Sequence, residues 1–249
     1  MFNPLDLAVL TKDIVSRSDG RKKYYRFRSS RFYGGIATAD CVGCCLECVF
    51  CWSWEATRRP AVTGQFYTAE DAVIKLLAIA RKKRYKRLRI SGGEPTLDPS
   101  HLEEVLDLVP EEYEFILETN GILIGQNPAY AKMLSRFKNL YVRVSLKGAC
   151  EEEFSLLTGA VPEAFQLQLE ALKNLVRYGV QTHPACIISF RSDENIMALR
   201  KRLKAIHPAF EEFEEEELVL YCNVKERLDH LGVPYRKAYT PDNIPPEQI

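Results

Sequence analysis

The sequence lacks an excess of charge of either sign. Lysine plus arginine and aspartate plus glutamate each number 34 among 249 residues, so the formal net charge is zero. No global electric field therefore draws the chain toward nucleic acid or a membrane surface. Any nucleic-acid-binding surface must be local, such as the basic segments at residues 21–33 and 81–89.

The sequence also lacks a long apolar segment. The longest apolar run, residues 72–80, is interrupted by Lys75 and is shorter than the roughly 20 residues of a membrane span. The first 15 residues carry no basic leader, which argues against a signal peptide. We therefore expect a cytoplasmic protein without membrane contact, where thiols stay reduced and clustered cysteines serve as metal ligands or redox groups.

The sequence does contain an alternation of short apolar runs and amphipathic helical patterns. Strands are predicted at residues 34–39, 87–91, 113–118, 140–146, 180–190 and 218–221. Helices are predicted at residues 69–84, 101–108, 130–137, 164–178, 194–206 and 224–231. This alternation favours right-handed β-α units around a parallel sheet, either in an incompletely closed barrel or in a doubly wound sheet.

The length suits one sizeable core. We expect residues 1–33 to form an N-terminal extension, residues 34–232 the core domain and residues 233–249 a tail. In either architecture, ligand-binding residues gather where the parallel strands end. The predicted strand ends are rich in glycine, polar and ligating residues, at positions 40–41, 91–95, 118–121, 145–148 and 221–223.

Five of the eight cysteines lie within residues 41–51. Two overlapping C-x3-C-x2-C frames occur there, Cys41/Cys45/Cys48 and Cys44/Cys48/Cys51. Three thiolates from one loop can hold three irons of a [4Fe–4S] cube and leave the fourth iron open. A zinc ribbon would need a second cysteine pair about 15–20 residues away, and no cysteine follows Cys51 until Cys150.

The later frame, with Phe50 just before Cys51, resembles the cluster motif of the radical S-adenosylmethionine (radical SAM) superfamily, C-x3-C-x-Φ-C with an aromatic Φ. The earlier frame would place Glu47 at the aromatic position. The resemblance implies an incomplete parallel (β/α)6 barrel of TIM-barrel type with short terminal extensions. It also implies that Cys44, Cys48 and Cys51 hold a [4Fe–4S] cluster and that Phe50 lies near the adenine of bound S-adenosylmethionine.

A second motif follows the second predicted strand. Residues 92–95, Gly-Gly-Glu-Pro, match the G-G-E-P motif of the superfamily, although the same letters could form an ordinary turn. Glycines let the backbone approach a ligand closely, and carbonyl and carboxylate oxygens accept hydrogen bonds from an ammonium group. The resemblance implies that Gly92, Gly93 and Glu94 receive the methionyl ammonium of the cofactor.

Two further strand ends carry weaker likenesses. Residues 118–121, Glu-Thr-Asn-Gly, resemble the D/E-T-N-G segment of the glycyl-radical-enzyme activases, and residues 145–148 occupy the place of their D-x-K motif, with Ser145 instead of aspartate. The resemblance implies cofactor contacts by Glu118, Asn120, Ser145 and Lys147. The fifth predicted strand lacks the G-x-I-x-G-x-x-E pattern that is often found there.

The implied activity is reductive cleavage of S-adenosylmethionine to a 5′-deoxyadenosyl radical, which abstracts hydrogen from a substrate. An oxygen-sensitive oxidoreductase served by an external electron donor, of the ferredoxin or flavodoxin type, follows from this chemistry. The cluster frame, its distance to the G-G-E-P motif and residues 118–121 together resemble the glycyl-radical-enzyme activases, so we expect an activase-like enzyme acting on a partner protein. Residues 48–52, however, resemble the cluster ending of the wyosine-forming tRNA enzymes, in which case Lys147 could serve as a Schiff-base amine.

Other interpretations stay open at this point. The substrate could also be a small molecule or a peptide, and the chain could be a non-catalytic iron-sulfur binding protein, although such a protein would have no need of Glu94. The remaining loop cysteines, Cys41, Cys45, Cys150 and Cys222, suit either a second cluster or small buried residues. The basic segment 21–33 alternates with period two, as in a nucleic-acid surface or an edge strand, and the basic run 81–89 suits RNA or a solvated helix end.

Overall fold

A computed structural model describes residues 1–190 and 193–248 of the chain. Arg191 and Ser192, within the predicted core, and Ile249, in the predicted tail, lie outside the described residues. The strands are β1 Lys22–Ser30, β2 Ile36–Cys41, β3 Gln65–Tyr67, β4 Arg87–Gly92, β5 Glu114–Thr119, β6 Leu140–Leu146, β7 Thr182–Ile187, β8 Glu214–Glu216, β9 Leu218–Val219 and β10 Ala238–Tyr239.

The main sheet has the strand order β3-β1-β2-β4-β5-β6-β7-β8. From β2 to β8 the neighbouring strands pair in parallel, whereas β1 runs antiparallel to both β2 and β3. Because β3 and β8 are the edges of this sheet, the barrel is not closed. The predicted α/β fold with an incomplete parallel barrel is confirmed.

The helices are α1 Pro4–Val15, α2 Trp54–Arg58, α3 Ala69–Lys83, α4 Pro99–Leu108, α5 Ile122–Gln126, α6 Pro128–Leu134, α7 Glu151–Thr158, α8 Phe165–Arg177, α9 Asp193–Ile206 and α10 Val224–Leu231. Helix α3 begins where the side chain of Thr68 accepts a hydrogen bond from the Asp71 amide, and it ends at Arg84 in the left-handed conformation. Across the described residues, each helix is too short or too polar to cross a membrane.

The two faces of the sheet differ in polarity because successive side chains of a strand point to opposite sides. The face that packs on the helices is apolar and buried, with Leu88, Ile90, Phe115, Leu117, Val142 and Val144. The opposite face, here called the inner face, carries Thr38, Asp40, Arg89, Ser91, Glu118, Arg143 and Ser145. The interior of this open barrel is therefore polar, unlike the apolar interior that fills a closed barrel.

Charges of opposite sign alternate from strand to strand across the inner face. The Arg89 guanidinium bonds the Glu118 carboxylate at 2.8 Å, and the Arg143 guanidinium bonds the Glu214 carboxylate at 2.7 Å. Glu118 also lies directly opposite Arg143 in the β5–β6 register. Such cross-strand pairs offset the cost of burying charge.

The sixth parallel strand is not where the sequence predicted it. Strand β8 consists of three glutamates, residues 214–216, whereas the predicted strand at residues 218–221 contributes only β9, which pairs with β10. A run of glutamates has low strand propensity. Here cations on neighbouring elements compensate, because Arg143 bonds Glu214 and Glu216, and Arg200 bonds Glu215.

Residues within the predicted N-terminal extension belong to the main sheet. Strand β1 pairs with β2 along residues 24–30 and with β3 along residues 22–24, so the period-two pattern does mark a strand, but that strand is second from the edge and not the edge strand that was expected. The cations Arg26 and Arg28 lie on the inner face, where both bond Asp40. The domain boundaries at residues 33 and 233 stay a prediction.

Candidate active site

The loop after β2 brings the predicted cluster cysteines into one environment. Cys48 is 8% exposed, whereas Cys44 and Cys51 are partly exposed. Burial raises the pKa of the Cys48 thiol, the charge of Lys147 opposes the rise, and the charges of Cys44 and Cys51 add to it. The sulfur atoms of all three predicted ligands and the ammonium of Lys147 thus lie within electrostatic range of one another.

Helices α7 and α10 form hydrogen bonds with this loop. The amide of Val49 donates to the carbonyl oxygen of Leu157 in α7 at 2.9 Å. From α10, Arg227 donates from Nε to the Val49 carbonyl at 3.0 Å and from Nη2 to the Cys51 carbonyl at 2.6 Å. The Arg227 guanidinium also stacks on Trp54, 4.3 Å from the ring centroid. Packing against α7 and α10 therefore orders the backbone around the cysteines.

The three predicted ligands have the donor chemistry of an iron-sulfur cluster. In the part of the chain that the structure describes, no group of three or more His, Cys, Asp or Glu side chains is arranged to hold one metal ion. A [4Fe–4S] cube does not require such convergence, because each thiolate binds a different iron atom. Cys44, Cys48 and Cys51, three thiols on one ordered loop with a nearby cation, have the donor chemistry that a cube needs.

Residues 92–94 lie directly against the cysteine loop. The Gly93 amide donates to the Cys41 carbonyl at 2.9 Å, and the Glu94 amide donates to the Gly43 carbonyl at 2.7 Å. A Cβ atom at position 93 would collide with the carbonyl oxygen of Gly43, and Gly92 adopts φ 91°. Glycine at these two positions is thus required for the two motifs to meet.

The carboxylate of Glu94 is buried and held by several donors. The side chain is 2% exposed, and Oε1 accepts from Thr96 Oγ1 at 2.6 Å and from Thr119 Oγ1 at 2.7 Å. The other oxygen, Oε2, accepts from the Asn120 amide at 2.8 Å. Because a carboxylate offers about four acceptor sites, Oε2 keeps capacity for a further donor such as an ammonium group.

Asn120 connects the third predicted motif to the cysteines. Its Nδ2 donates to Cys45 Sγ at 3.3 Å and to Cys44 Sγ at 3.6 Å. Its Oδ1 accepts from the Ile122 amide at 3.0 Å, which orients the amide group toward the thiols. The ends of β2, β4 and β5 therefore converge on one small region, as the predicted strand-end placement requires.

Ser145 and Lys147 approach the same region from β6. Lys147 Nζ donates to Ser145 Oγ at 2.6 Å, and Ser145 Oγ donates to Glu216 Oε2 at 3.2 Å. The amide of Lys147 donates to Gln168 Oε1 at 3.1 Å. The lysine ammonium lies between the inner face and the thiols, where it can bind an anionic group.

Glu118 lies on the inner face, and its carboxylate is already paired. Tyr33 donates to Oε1 at 2.7 Å, Arg89 donates to the same atom at 2.8 Å, and Ser91 donates to Oε2 at 2.9 Å. Burial would raise the pKa of Glu118, but the charges of Arg89 and Arg143 and the Tyr33 hydrogen bond lower it to about 2. Glu118 therefore stays ionised at neutral pH.

Phe50 packs between the cysteine loop and the C-terminal part of the chain. Its ring lies 5.5 Å from that of Phe190, and it contacts the buried cluster of Ile187, Leu218, Val224 and Leu228. The predicted contact of Phe50 with adenine stays a prediction.

The other cysteines differ in their burial. Cys41 and Cys45 are fully buried, Cys150 is partly buried at the start of α7, and Cys222 is exposed. A hydrogen bond with Cys45 lowers the pKa of Cys44, and the same bond raises the pKa of Cys45. Cys186 is fully buried in β7, as expected for a core residue.

Sequence reasoning missed two cations that hold this site. Lys22 in β1 is 1% exposed, and its Nζ donates to the carbonyl oxygens of Glu94 at 3.4 Å and Pro95 at 3.2 Å. Arg227 holds the cysteine loop. Neither residue belongs to a motif. The period-two pattern of β1 is a signal for Lys22, whereas the predicted helix 224–231 gives no signal that Arg227 reaches the cysteine loop.

A family model described as the radical SAM superfamily matches residues 40–203. The chain belongs to the radical SAM superfamily. The predicted family is thereby confirmed, and the cofactors are a [4Fe–4S] cluster and S-adenosylmethionine. Enzymes of this superfamily need an electron donor. Which residues hold each cofactor in this chain stays a prediction.

Curated relatives match part of the chain. The probable GTP 3′,8-cyclase of Methanosarcina acetivorans is 27% identical over 137 residues, which cover 55% of this chain and 40% of that protein. The mycofactocin maturase MftC of Mycobacterium ulcerans is 31% identical over 138 residues, covering 55% of this chain and 34% of that protein. The matches thus span less than half of each relative's length.

A solved structure supports the fold. SuiB of Streptococcus suis bound to S-adenosylmethionine superposes with a TM-score of 0.59 at 16% identity, covering 83% of this chain and 52% of SuiB. A second SuiB structure, bound to the precursor peptide SuiA, gives a TM-score of 0.56 at 16% identity over 80% of this chain and 46% of SuiB. At this identity the likeness shows the shared architecture alone.

Proposed function

We propose that the chain is an enzyme that cleaves S-adenosylmethionine reductively and abstracts hydrogen from a substrate held at the inner face. The observation that carries the proposal is that the cysteine loop, Glu94 and Asn120 converge. The Glu94 amide donates to the Gly43 carbonyl, the Asn120 amide donates to the Glu94 carboxylate, and the Asn120 side chain donates to Cys44 Sγ. A protein that only stored a cluster would have no use for a buried carboxylate oxygen with an acceptor site left free.

Each predicted residue has a physical role in this proposal. Cys44, Cys48 and Cys51 would hold the cluster, and the carbonyls of Gly92 and Gly93 with the Glu94 carboxylate would accept from the methionyl ammonium. When bound, the cofactors supply one electron that breaks a carbon-sulfur bond and yields the 5′-deoxyadenosyl radical. Apolar packing around Phe50 would limit the access of water to that side of the loop.

Lys147 and Asn120 would set the charge and orientation around the cofactor. The Lys147 ammonium faces the thiols and suits the cofactor's carboxylate or ribose hydroxyls. The side-chain amide of Asn120 donates a hydrogen bond to Cys44 Sγ, which would stabilise the negative charge of this predicted thiolate ligand. Glu118 and Ser145 already bond protein groups on the inner face. They would therefore affect the cofactor indirectly, by positioning Arg89 and Lys147.

The substrate class is a separate question. Among the relatives, one name refers to a GTP cyclase, another to a mycofactocin maturase, and SuiB is recorded with a precursor peptide. These names point to different substrates, so they do not choose one for this chain. The activase-like action on a partner protein and the RNA alternative stay predictions, as do a cytoplasmic location and a donor of the ferredoxin or flavodoxin type.

The proposal is tested by anaerobic reconstitution of the full chain with iron and sulfide, followed by dithionite and S-adenosylmethionine. We expect 5′-deoxyadenosine, detected by mass spectrometry. The Cys48→Ser variant should lose cluster absorbance and product by more than about 100-fold, because one cluster ligand is gone. The matched control, Cys222→Ser, removes an exposed cysteine outside the loop and should stay within about twofold of the unaltered chain.

A reconstituted cluster that yields no 5′-deoxyadenosine would identify a binding protein and contradict the proposal. A second measurement separates protein or small-molecule substrates from RNA. If RNA is the substrate, binding of tRNA should weaken steeply as salt rises, because phosphate contacts release counterions. A flat response to salt excludes the RNA alternative.

A further inference from the structure

Positive charge collects at one end of the inner face. Arg26 and Arg28 in β1, with Arg31 just after it, are here called the basic edge. Arg26 Nε and Arg28 Nε each donate to the same oxygen of Asp40 at 2.7 Å. Asp40 is fully buried, whereas the side chains of Arg26 and Arg28 are 46% and 25% exposed.

The basic edge carries more positive charge than the carboxylate of Asp40 neutralises. One guanidinium would neutralise Asp40, so the second leaves a net positive charge. Arg31 is exposed and has no ion-pair partner within residues 1–190 and 193–248. Arg26 uses only Nε for Asp40, and its Nη groups have no hydrogen-bond partner among the described residues. The Nη groups of Arg26 and the guanidinium of Arg31 thus present N–H donors to solvent. The planar arrangement of these donors matches the oxygen atoms of an oxyanion.

Aromatic residues of the cysteine loop and the C-terminal region complete the surface. The guanidinium carbons of Arg26 and Arg28 each lie 5.5 Å from the centroid of Trp52, which is 37% exposed and follows Cys51 directly. The Trp52 ring lies 6.3 Å from that of Tyr221. The basic edge is therefore adjacent to the loop that would hold the cluster.

The hydroxyl of Tyr221 lies within electrostatic range of these positive charges. Burial raises its pKa, and four guanidinium groups oppose the rise: those of Arg28, Arg31, Arg89 and Arg26. This hydroxyl has no hydrogen-bond partner within the part of the chain described, so it remains a free donor beside the cations.

We propose that the basic edge binds an oxyanion of the substrate, a carboxylate or a phosphate group, with the Trp52 ring beside it. This inference rests on the proposed function, because it places a substrate group next to the cluster loop. It selects substrates that carry such an anion over neutral or cationic ones. At the other end of the inner face, β8 supplies glutamates, which disfavour an anion there.

The test is calorimetric titration of the anaerobically reconstituted full chain with inorganic pyrophosphate and, separately, with malonate. We expect saturable binding of at least one anion, and the tighter of the two identifies phosphate or carboxylate as the group recognised. The Arg26→Met/Arg28→Met double variant and the Arg31→Met variant should each weaken binding about tenfold or more, since each removes charge-assisted donors. The control, Arg177→Met, removes an exposed cation at the end of α8 and should bind as the unaltered chain does.

The Arg31→Met variant keeps the proposal testable if the double variant, which leaves Asp40 buried without its partners, fails to fold. Two outcomes overturn the proposal: saturation by neither anion, or equal affinity in the Arg31→Met and Arg177→Met variants. Formation of 5′-deoxyadenosine needs neither probe anion, so its presence or absence judges the proposed function independently of this inference.

Discussion

At the scale of single residues, the site depends on contacts that allow almost no change in volume. Gly93 and Glu94 form backbone hydrogen bonds to the cysteine loop, and the Glu94 carboxylate accepts from the next strand end. One residue thus ties together three segments that are far apart in the sequence. Substitution here acts on the positions of all three.

Replacing Gly93 by alanine should disrupt the site. The new Cβ would meet the Gly43 carbonyl oxygen, a backbone atom that cannot rotate away. We expect a loss of about 3 kcal/mol in the free energy of unfolding and loss of S-adenosylmethionine binding, measured by thermal unfolding and equilibrium dialysis. Gly179→Ala is the control, because no atom lies within 4 Å of its added Cβ and only its φ of 68° is strained, at a cost of about 1 kcal/mol. Equal effects of the two substitutions would contradict this explanation.

At the scale of elements, the cysteine loop depends on helices that follow it by more than a hundred residues. Arg227 in α10 holds the carbonyls of Val49 and Cys51. The helix was predicted with its observed bounds, 224–231, from its periodicity and from Gly232 at its end. Its contact with the loop could not be predicted, because periodicity shows which face is apolar and not which distant carbonyl a cation reaches.

Arg227→Met should loosen the cluster without removing a ligand. Two charge-assisted hydrogen bonds to the loop are lost, so we expect loss of iron to a chelator to be about tenfold faster, followed by the decay of visible absorbance. Lys225→Met is the matched control on the same helix, since among the described residues the Lys225 ammonium bonds the exposed Asp229 and no group of the loop. If both variants release iron at the rate of the unaltered chain, α10 does not stabilise the loop.

The strand order shows where sequence reasoning succeeds and where it does not. Strands β4, β5 and β6 were found because Leu88, Phe115 and Val142 recur in apolar runs with clear ends. Strand β8 was missed because its glutamates are held by cations on other elements, an arrangement that local propensity does not encode. The three predicted motifs do meet in space, because strand ends of a parallel sheet gather at one edge.

At the scale of the whole molecule, the inner face behaves as one network of alternating charge. From β1 to β8 the signs run positive at Arg26, negative at Asp40, positive at Arg89, negative at Glu118 and positive at Arg143, ending on the glutamates of β8. From β1 to β6 each charge is offset by a neighbour on the adjacent strand, and the glutamates of β8 bond Arg143 across β7. The stability of the barrel should therefore depend on pH through these groups.

Acid should destabilise the chain through Glu118. Its pKa falls from the ordinary 4.5 to about 2 in the folded state. The charged carboxylate therefore contributes its full stabilisation above about pH 4.5, and this is lost as the pH falls toward 2, by about 3 kcal/mol in total. Denaturant unfolding at a series of pH values should show a smaller acid-induced loss for Glu118→Gln than for the exposed control Glu111→Gln. Parallel pH profiles for the two variants would show that Glu118 is not the group responsible.

A shortened chain that lacks Lys22 would lose hydrogen bonds at the site. This buried ammonium donates to the carbonyls of Glu94 and Pro95 from a strand that precedes the family's first motif. Trimming the chain to begin at residue 34 would remove the Lys22 donor from those carbonyls and would uncover the edge of β2. The amino-terminal strand thus covers one side of the predicted cofactor site, and its removal would expose that side to solvent.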